Sequence, residues 1–119
     1  MNPQKAYTVF LASDLAAAEG WYTKLLGRGP DFRPMDTLVQ WEFSDHGGLG
    51  ISTDIEIAGK GVMFLIVDDV AGERRRLHGL GIVLGDDIKG DYSTLAQVRD
   101  PDGNLLTLAT PPSRPYPRA

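Results

Sequence analysis

The chain has 119 residues, 42% of them hydrophobic and 24% charged, close to the averages for a folded globular protein and of a length that fits one domain. With 12 Lys and Arg against 16 Asp and Glu the net charge is −4, so the basic surface that neutralises phosphate is missing and neither nucleic acid nor an anionic membrane is an expected partner. Cysteine is absent, which excludes disulfides, thiolate metal sites and cysteine nucleophiles; with no apolar core in Met1–Ala6 and no run near the ~18 residues of a membrane span, a soluble, cytoplasmic protein is expected.

Lys5 to Leu11 is rich in β-branched and aromatic residues and reads as a strand. Ser13-Asp14 supplies a helix cap, after which Leu15, Ala18, Tyr22, Leu25 and Leu26 recur at helical spacing until Gly27 stops the run. A turn-rich stretch follows. Thr37 to Phe43 then alternates, with Val39, Trp41 and Phe43 on one apolar face; Asp45-His46-Gly47-Gly48 reads as a hairpin turn and Leu49 to Thr53 as the returning strand. Past Gly59 to Gly61 the order restarts: an apolar strand at Val62 to Val67, Asp68-Asp69 as a cap, a helix through Leu77, and glycines at 79 and 81. Short segments at Ile82 to Leu84 and Thr94 to Val98 precede the turn Asp100-Pro101-Asp102-Gly103, and Asn104 to Ala109 closes the core as a strand. The tail, Pro111 to Ala119, carries four prolines and reads as an extended arm.

The two halves match. Leu11-Ala12-Ser13-Asp14-Leu15-Ala16 aligns with Ile66-Val67-Asp68-Asp69-Val70-Ala71 at an offset of 55, Gly27 with Gly81 at 54, and Gly47-Gly48-Leu49 with Gly103-Asn104-Leu105 at 56. Two copies of a β-α-β-β-β unit, about 5–55 and 61–110, therefore make one domain over 1–110. Each is too small to bury much alone, so the copies share a sheet or exchange partners between chains.

Asp14-Leu15, Trp21-Tyr22 and Leu25-Leu26-Gly27 in the first half, with Val67-Asp68-Asp69-Val70, Leu77 to Gly81 and Asp100-Pro101-Asp102-Gly103-Asn104 in the second, resemble the vicinal oxygen chelate superfamily. That superfamily includes glyoxalases, extradiol dioxygenases and bleomycin-resistance proteins. The resemblance spans nearly the whole chain and implies an α+β fold: two βαβββ modules whose curved mixed sheets form a cleft with the helices outside, commonly closed by pairing of two chains, hence a homodimer. It also implies that metal-using members place His, Glu or Gln ligands at positions matching Tyr7, the neighbourhood of Ile51, Val62 and Thr107 here. Val62 and Ile51 carry no donor atom, and a slip of one residue offers only Gly50 or Ser52, so neither a metal nor another cofactor is expected. His46 in a turn and His78 near a helix end read as solvated residues, Asp86, Asp87, Asp100 and Asp102 as loop residues, and Arg74-Arg75-Arg76 as a solvated helix face.

With Tyr7, Ile51, Val62 and Thr107 turned inward, strand alternation adds Val9, Leu11, Leu49, Phe64, Ile66, Leu105 and Ala109 to the cleft, and leaves Phe10, Met63, Leu65, Leu106 and Leu108 beneath the helices. The candidate ligand-binding set is Tyr7, Val9, Trp41, Ile51, Val62, Phe64 and Thr107. Each of these reads equally well as plain core; Trp41 either stacks on a planar ligand or fills the interior, and Trp21 packs or lies at an interface. Two functions stand, the first preferred, beside a third and duller possibility, a subunit that only assembles with others. One is a metal-free binding protein similar to bleomycin-resistance members, sequestering an aromatic or peptide-like small molecule. The other is an enzyme of the same superfamily, a lyase or dioxygenase with displaced metal ligands, or an acid–base catalyst using Tyr7 with a carboxylate such as Glu42.

Overall fold

In the computed structural model, which describes residues 2, 4–53 and 58–118, the chain runs β1 (Ala6–Ala12), α1 (Leu15–Leu26), β2 (Phe32–Met35), β3 (Leu38–Ser44), β4 (Gly47–Thr53), β5 (Val62–Ile66), α2 (Val70–His78), β6 (Ile88–Lys89), β7 (Thr94–Arg99) and β8 (Leu105–Ala109). This is the α+β, twice-repeated βαβββ order, with one mixed four-stranded sheet in each half. The end of the first repeat near residue 55 lies outside the described residues. Two compact units divide the chain: Met1–Gly61 with Arg99–Asn104, and Val62–Val98 with Leu105–Ala119.

In the first unit, Asp14 caps α1 by accepting the Ala17 amide at 3.1 Å, and Gly27 ends it in the left-handed region at φ 79°. The sheet order is β1-β4-β3-β2, with β1 parallel to β4 and β3 antiparallel to β4. Ala18, Tyr22 and Leu25 are the buried face of α1, and Phe10, Val39, Trp41, Leu49 and Ile51 are the buried strand residues. Tyr22 is the hub: its ring centroid lies 4.9 Å from Trp21, 6.1 Å from Trp41 and 6.3 Å from Phe10. Strand β2 was hidden in the sequence by its wholly exposed residues and its proline, which suit an edge strand and erase any alternation.

The Asp-Pro-Asp-Gly-Asn turn does more than reverse the chain. Asp100 is buried and accepts hydrogen bonds at Oδ1 from the amides of Asp102 and Asn104, both at 2.9 Å, and at Oδ2 from the Tyr22 hydroxyl and the Asn104 side-chain amide, both at 2.8 Å. Asn104 Oδ1 in turn accepts the Gly61 amide at 2.7 Å. Burial, reinforced by the neighbouring Asp100 charge, pushes the Tyr22 hydroxyl far above its ordinary value, so it stays a donor.

In the second unit the order is β5-β8-β7-β6, with β5 parallel to β8. Val70 and Leu77 of α2 are buried, as are Ala96, Leu106 and Leu108. Ile82 and Leu84, expected in a short strand-like segment, lie in irregular chain and still bury their side chains. Residues 111–118 form no helix or strand, yet do not stand off the unit: the Ser113 amide donates to the Tyr92 carbonyl at 2.8 Å. Among the described residues no helix is long and apolar enough to cross a membrane.

Truncating Asp100 leaves three buried donors, the Tyr22 hydroxyl and the backbone and side-chain amides of Asn104, without their acceptor. Asp100→Ala is expected to cost about 3–5 kcal/mol in urea unfolding, and Tyr22→Phe, which removes one hydrogen bond to a charged group, about 1.5–3 kcal/mol. Equal, small losses in both variants would show that the network contributes little.

Candidate functional site

Register decides which side chains share a face, and the β1–β4 ladder pairs Tyr7 with Gly48, Val9 with Gly50 and Phe10 with Ile51. Across β4 and β3, Gly50 pairs with Gln40, Ile51 with Val39, and Leu49 with Trp41. The open face of this sheet therefore carries Tyr7, Val9, Leu11, Leu38, Gln40 and Glu42. A Cβ placed on Gly50 would lie 3.3 Å from Val9 Cγ2 and 3.4 Å from Leu38 Cδ1, which puts that glycine on the same face.

Ile51 and Leu49 belong to the opposite side, against the α1-facing core, where Ile51 is 1% exposed. Trp41 joins them there, fully buried, with its indole N–H donating to the Arg28 carbonyl at 2.9 Å. The expectation that Ile51 and Trp41 face a ligand is corrected by this register. Val9 and Phe64 are 55 apart, but their ladder partners Gly50 and Thr107 are 57 apart, not 56. The turn glycines had been matched with one another, whereas Gly47 lies inside β4 and Gly103 inside the loop before β8. One residue of slip moves a strand's whole set of side chains to the other face.

Tyr7 and Glu42, paired in the sequence reading, do meet: the Tyr7 hydroxyl donates a short hydrogen bond to Glu42 Oε1. Lys5, which no sequence signal singled out, adds its ammonium at 3.1 Å and 3.2 Å from the two Glu42 oxygens and lies 5.9 Å from the Tyr7 ring centroid. Alternation from Tyr7 by two residues would have found it. The Tyr7 hydrogen bond, then that of Lys5, lowers the Glu42 carboxyl below its usual range, while the bond to Glu42 raises both Tyr7 and Lys5. Tyr7 is thus a neutral donor and Glu42 an ionised acceptor at neutral pH. Beside them, Val9, Phe10, Leu11, Lys60 and Gly61 line a cavity of about 250 Å³.

In the second unit, β5 pairs Val62 with Leu105, Phe64 with Thr107 and Ile66 with Ala109. Val62 is 70% exposed, Phe64 55% and Ile66 53%, so this face of β5 points apolar side chains into solvent. Thr107 is buried and its hydroxyl accepts the Gln97 side-chain amide at 3.1 Å. His46 and His78 are exposed, and Arg74 leaves its expected solvated role to hold the following loop, bonding the carbonyls of Leu84 and Gly85 and Asp87 Oδ1 at 2.6 Å.

No family model matches the chain, and no curated protein does. Solved structures do. A glyoxalase/bleomycin resistance protein from Catenulispora acidiphila DSM 44928 superposes with a TM-score of 0.82 at 26% identity, covering 91% of this chain and 98% of its own. The chain has the fold of the vicinal oxygen chelate superfamily. A bleomycin-binding protein complexed with bleomycin gives a TM-score of 0.73 at 23% identity over 89% of this chain and 97% of its own. A lactoylglutathione lyase from Agrobacterium tumefaciens gives 0.72 at 23% over 87% and 90%.

Among the described residues, the donors at the positions matching the metal ligands of that superfamily do not fit a divalent metal. Of the ladder-equivalent positions, Tyr7 offers a phenol already bonded to Glu42, Gly50 and Val62 offer no donor, and the Thr107 hydroxyl is engaged by Gln97. Among the described residues no three His, Asp or Glu side chains cluster.

Glu42→Gln tests the electrostatics of the Lys5–Tyr7–Glu42 group. Because the folded Glu42 carboxyl is depressed, its stabilising effect is present at neutral pH and lost as pH falls through that lowered value; the Gln variant should lack this acid step. At the alkaline end, the Tyr7 phenol, held above its ordinary 10.0, should ionise at lower pH in the variant, read from its ultraviolet phenolate absorbance.

Proposed function

We propose that the chain binds and sequesters an aromatic or peptide-like small molecule on an apolar surface, without a metal and without chemical change, and that it works as a cytoplasmic homodimer. The observation that carries this reading is the row of solvent-facing Val62, Phe64 and Ile66 on one strand. Exposed apolar side chains grouped on one face mark a surface that functions by being covered. Val9 and Leu38 provide a similar patch in the first unit, with Tyr7 as a polar point beside it. Thr107 lies beside Phe64 in the ladder, its hydroxyl held by the Gln97 side-chain amide. That a protein with the same fold is solved in complex with bleomycin supports the small-molecule reading.

The Tyr7–Glu42–Lys5 group favours a second reading, an acid–base enzyme. Its electrostatics weigh against that reading: a phenol pushed upward is no base at neutral pH, and a carboxyl pushed downward is a weak one.

Bleomycin serves as the probe. A ligand that binds only the folded chain stabilises it, by about 2.7 kcal/mol at a hundredfold excess over Kd, and the melting temperature should rise accordingly. Phe64→Ala should abolish that rise while changing the stability of the free protein by no more than about 0.5 kcal/mol, as expected at an exposed position. An unchanged ligand response in the variant would reject the assignment of this face. After dialysis the protein should carry less than one divalent ion per chain and sediment at twice 13.0 kDa; a stoichiometric ion would instead favour an enzyme with displaced ligands.

A further inference from the structure

The C-terminal segment builds one wall of a cavity in the second unit. Pro111, Pro112, Pro115 and Pro117 stiffen residues 111–118, so little freedom is lost when the segment docks. Three contacts fix it to one residue, Tyr92. The Ser113 amide donates to the Tyr92 carbonyl at 2.8 Å, the Arg114 guanidinium lies 4.9 Å over the Tyr92 ring, and Tyr116 meets the same ring in a T-shaped contact with centroids 5.0 Å apart.

This docking sets Tyr116 beside Phe64, Tyr92 and Leu95 as walls of a cavity of about 160 Å³, with Gly90, Asp91 and Ser93 completing it. Gly90 and Ser93 close the loop beneath, the Gly90 amide donating to the Ser93 carbonyl at 2.9 Å. Three of the four large walls are aromatic rings, and the lining is almost wholly carbon. An apolar cavity of about 150 Å³ is large enough to take one benzene ring. Rings pack on such walls edge-on or offset, as Tyr116 already does on Tyr92.

Charge narrows the occupant. Asp91 is the one charged residue of the lining and disfavours an anion, while the face of the Tyr92 ring that would hold a cation is already taken by Arg114. Asp91 can accept from a hydroxyl or ring N–H. We propose that the C-terminal segment completes a pocket for a single uncharged aromatic ring, with Tyr116 as the residue that sets its specificity. The proposal rests on the ligand-binding reading because Phe64 belongs to both surfaces.

The test is fluorine NMR of para-fluorophenol with the full chain and with Tyr116→Ala and Tyr116→Phe. The full chain and Tyr116→Phe should bind the probe alike, since the wall needs a ring and not its hydroxyl, and Tyr116→Ala should bind about tenfold more weakly. Para-fluorobenzoate and para-fluorobenzylammonium should bind more weakly than the phenol. Equal binding by Tyr116→Ala and the full chain overturns the role of the segment, while leaving the bleomycin response to decide the broader reading. No binding of the phenol to the full chain, or a preference for the ammonium probe, overturns the pocket's assignment in the same way.

Discussion

A buried carboxylate held by four hydrogen bonds organises the first unit. Removing a charged group from water costs several kcal/mol unless its lone pairs are filled, and those of Asp100 are filled by two backbone amides, one side-chain amide and the Tyr22 hydroxyl. The requirement runs both ways. The turn must hold its amides inward for Asp100, and α1 must hold Tyr22 where its hydroxyl reaches the same oxygen. Because the Tyr22 ring also touches Trp21, Trp41 and Phe10, residues from β1, α1 and β3 meet around a side chain whose tip is pinned 78 positions later in the sequence. The Ser13 amide bonds Asp102 Oδ1 at 3.0 Å, tying the start of α1 to the same turn.

Local chemistry made much of this visible in the sequence. Asp14 and Gly27 bracket α1 because a carboxylate can cap the first turn and only glycine enters the left-handed region without strain; both act as their residue types imply. The twofold βαβββ order was legible because caps and stops recur. What resisted reading was register. Val39 and Trp41 marked the buried face of β3, whereas Phe43, at the register shift between Glu42 and Ser44, is exposed; alternation cannot say which face meets the helix, and the turn glycines align the fourth strands one residue out. Asp100 gave only its turn-forming character to the sequence; its bond to Tyr22 is a tertiary fact. Lys5 shares the face of Tyr7 two positions away, but its partner Glu42 lies 37 positions on in the sequence, beyond any local pattern.

The two open faces offer different chemistry. That of the first unit combines the Val9–Leu38 patch with a neutral hydroxyl and an ammonium, both bonded to one ionised carboxylate. Such a group presents direction to a ligand while its own charges are largely balanced. On the second, the polar pair Gln97–Thr107 is satisfied internally, and the side chains that reach solvent are apolar. Recognition there depends on shape and area removed from water, which is non-directional and tolerant of chemical variety.

That difference bears on why a stiff segment follows β8. A flat apolar strand face binds weakly, because a small ligand laid on it stays half in water and each Å² left exposed contributes nothing. Adding a wall deepens the contact without new polar groups. A flexible tail would lose the gain to its own ordering, whereas a proline-rich one fixed at Tyr92 has already given up that freedom on folding. The prolines and the three contacts on Tyr92 thus have a common physical consequence: Tyr116 stands beside Phe64 before any ligand arrives, and the exposed ring of β5 becomes one side of a pocket rather than an open surface.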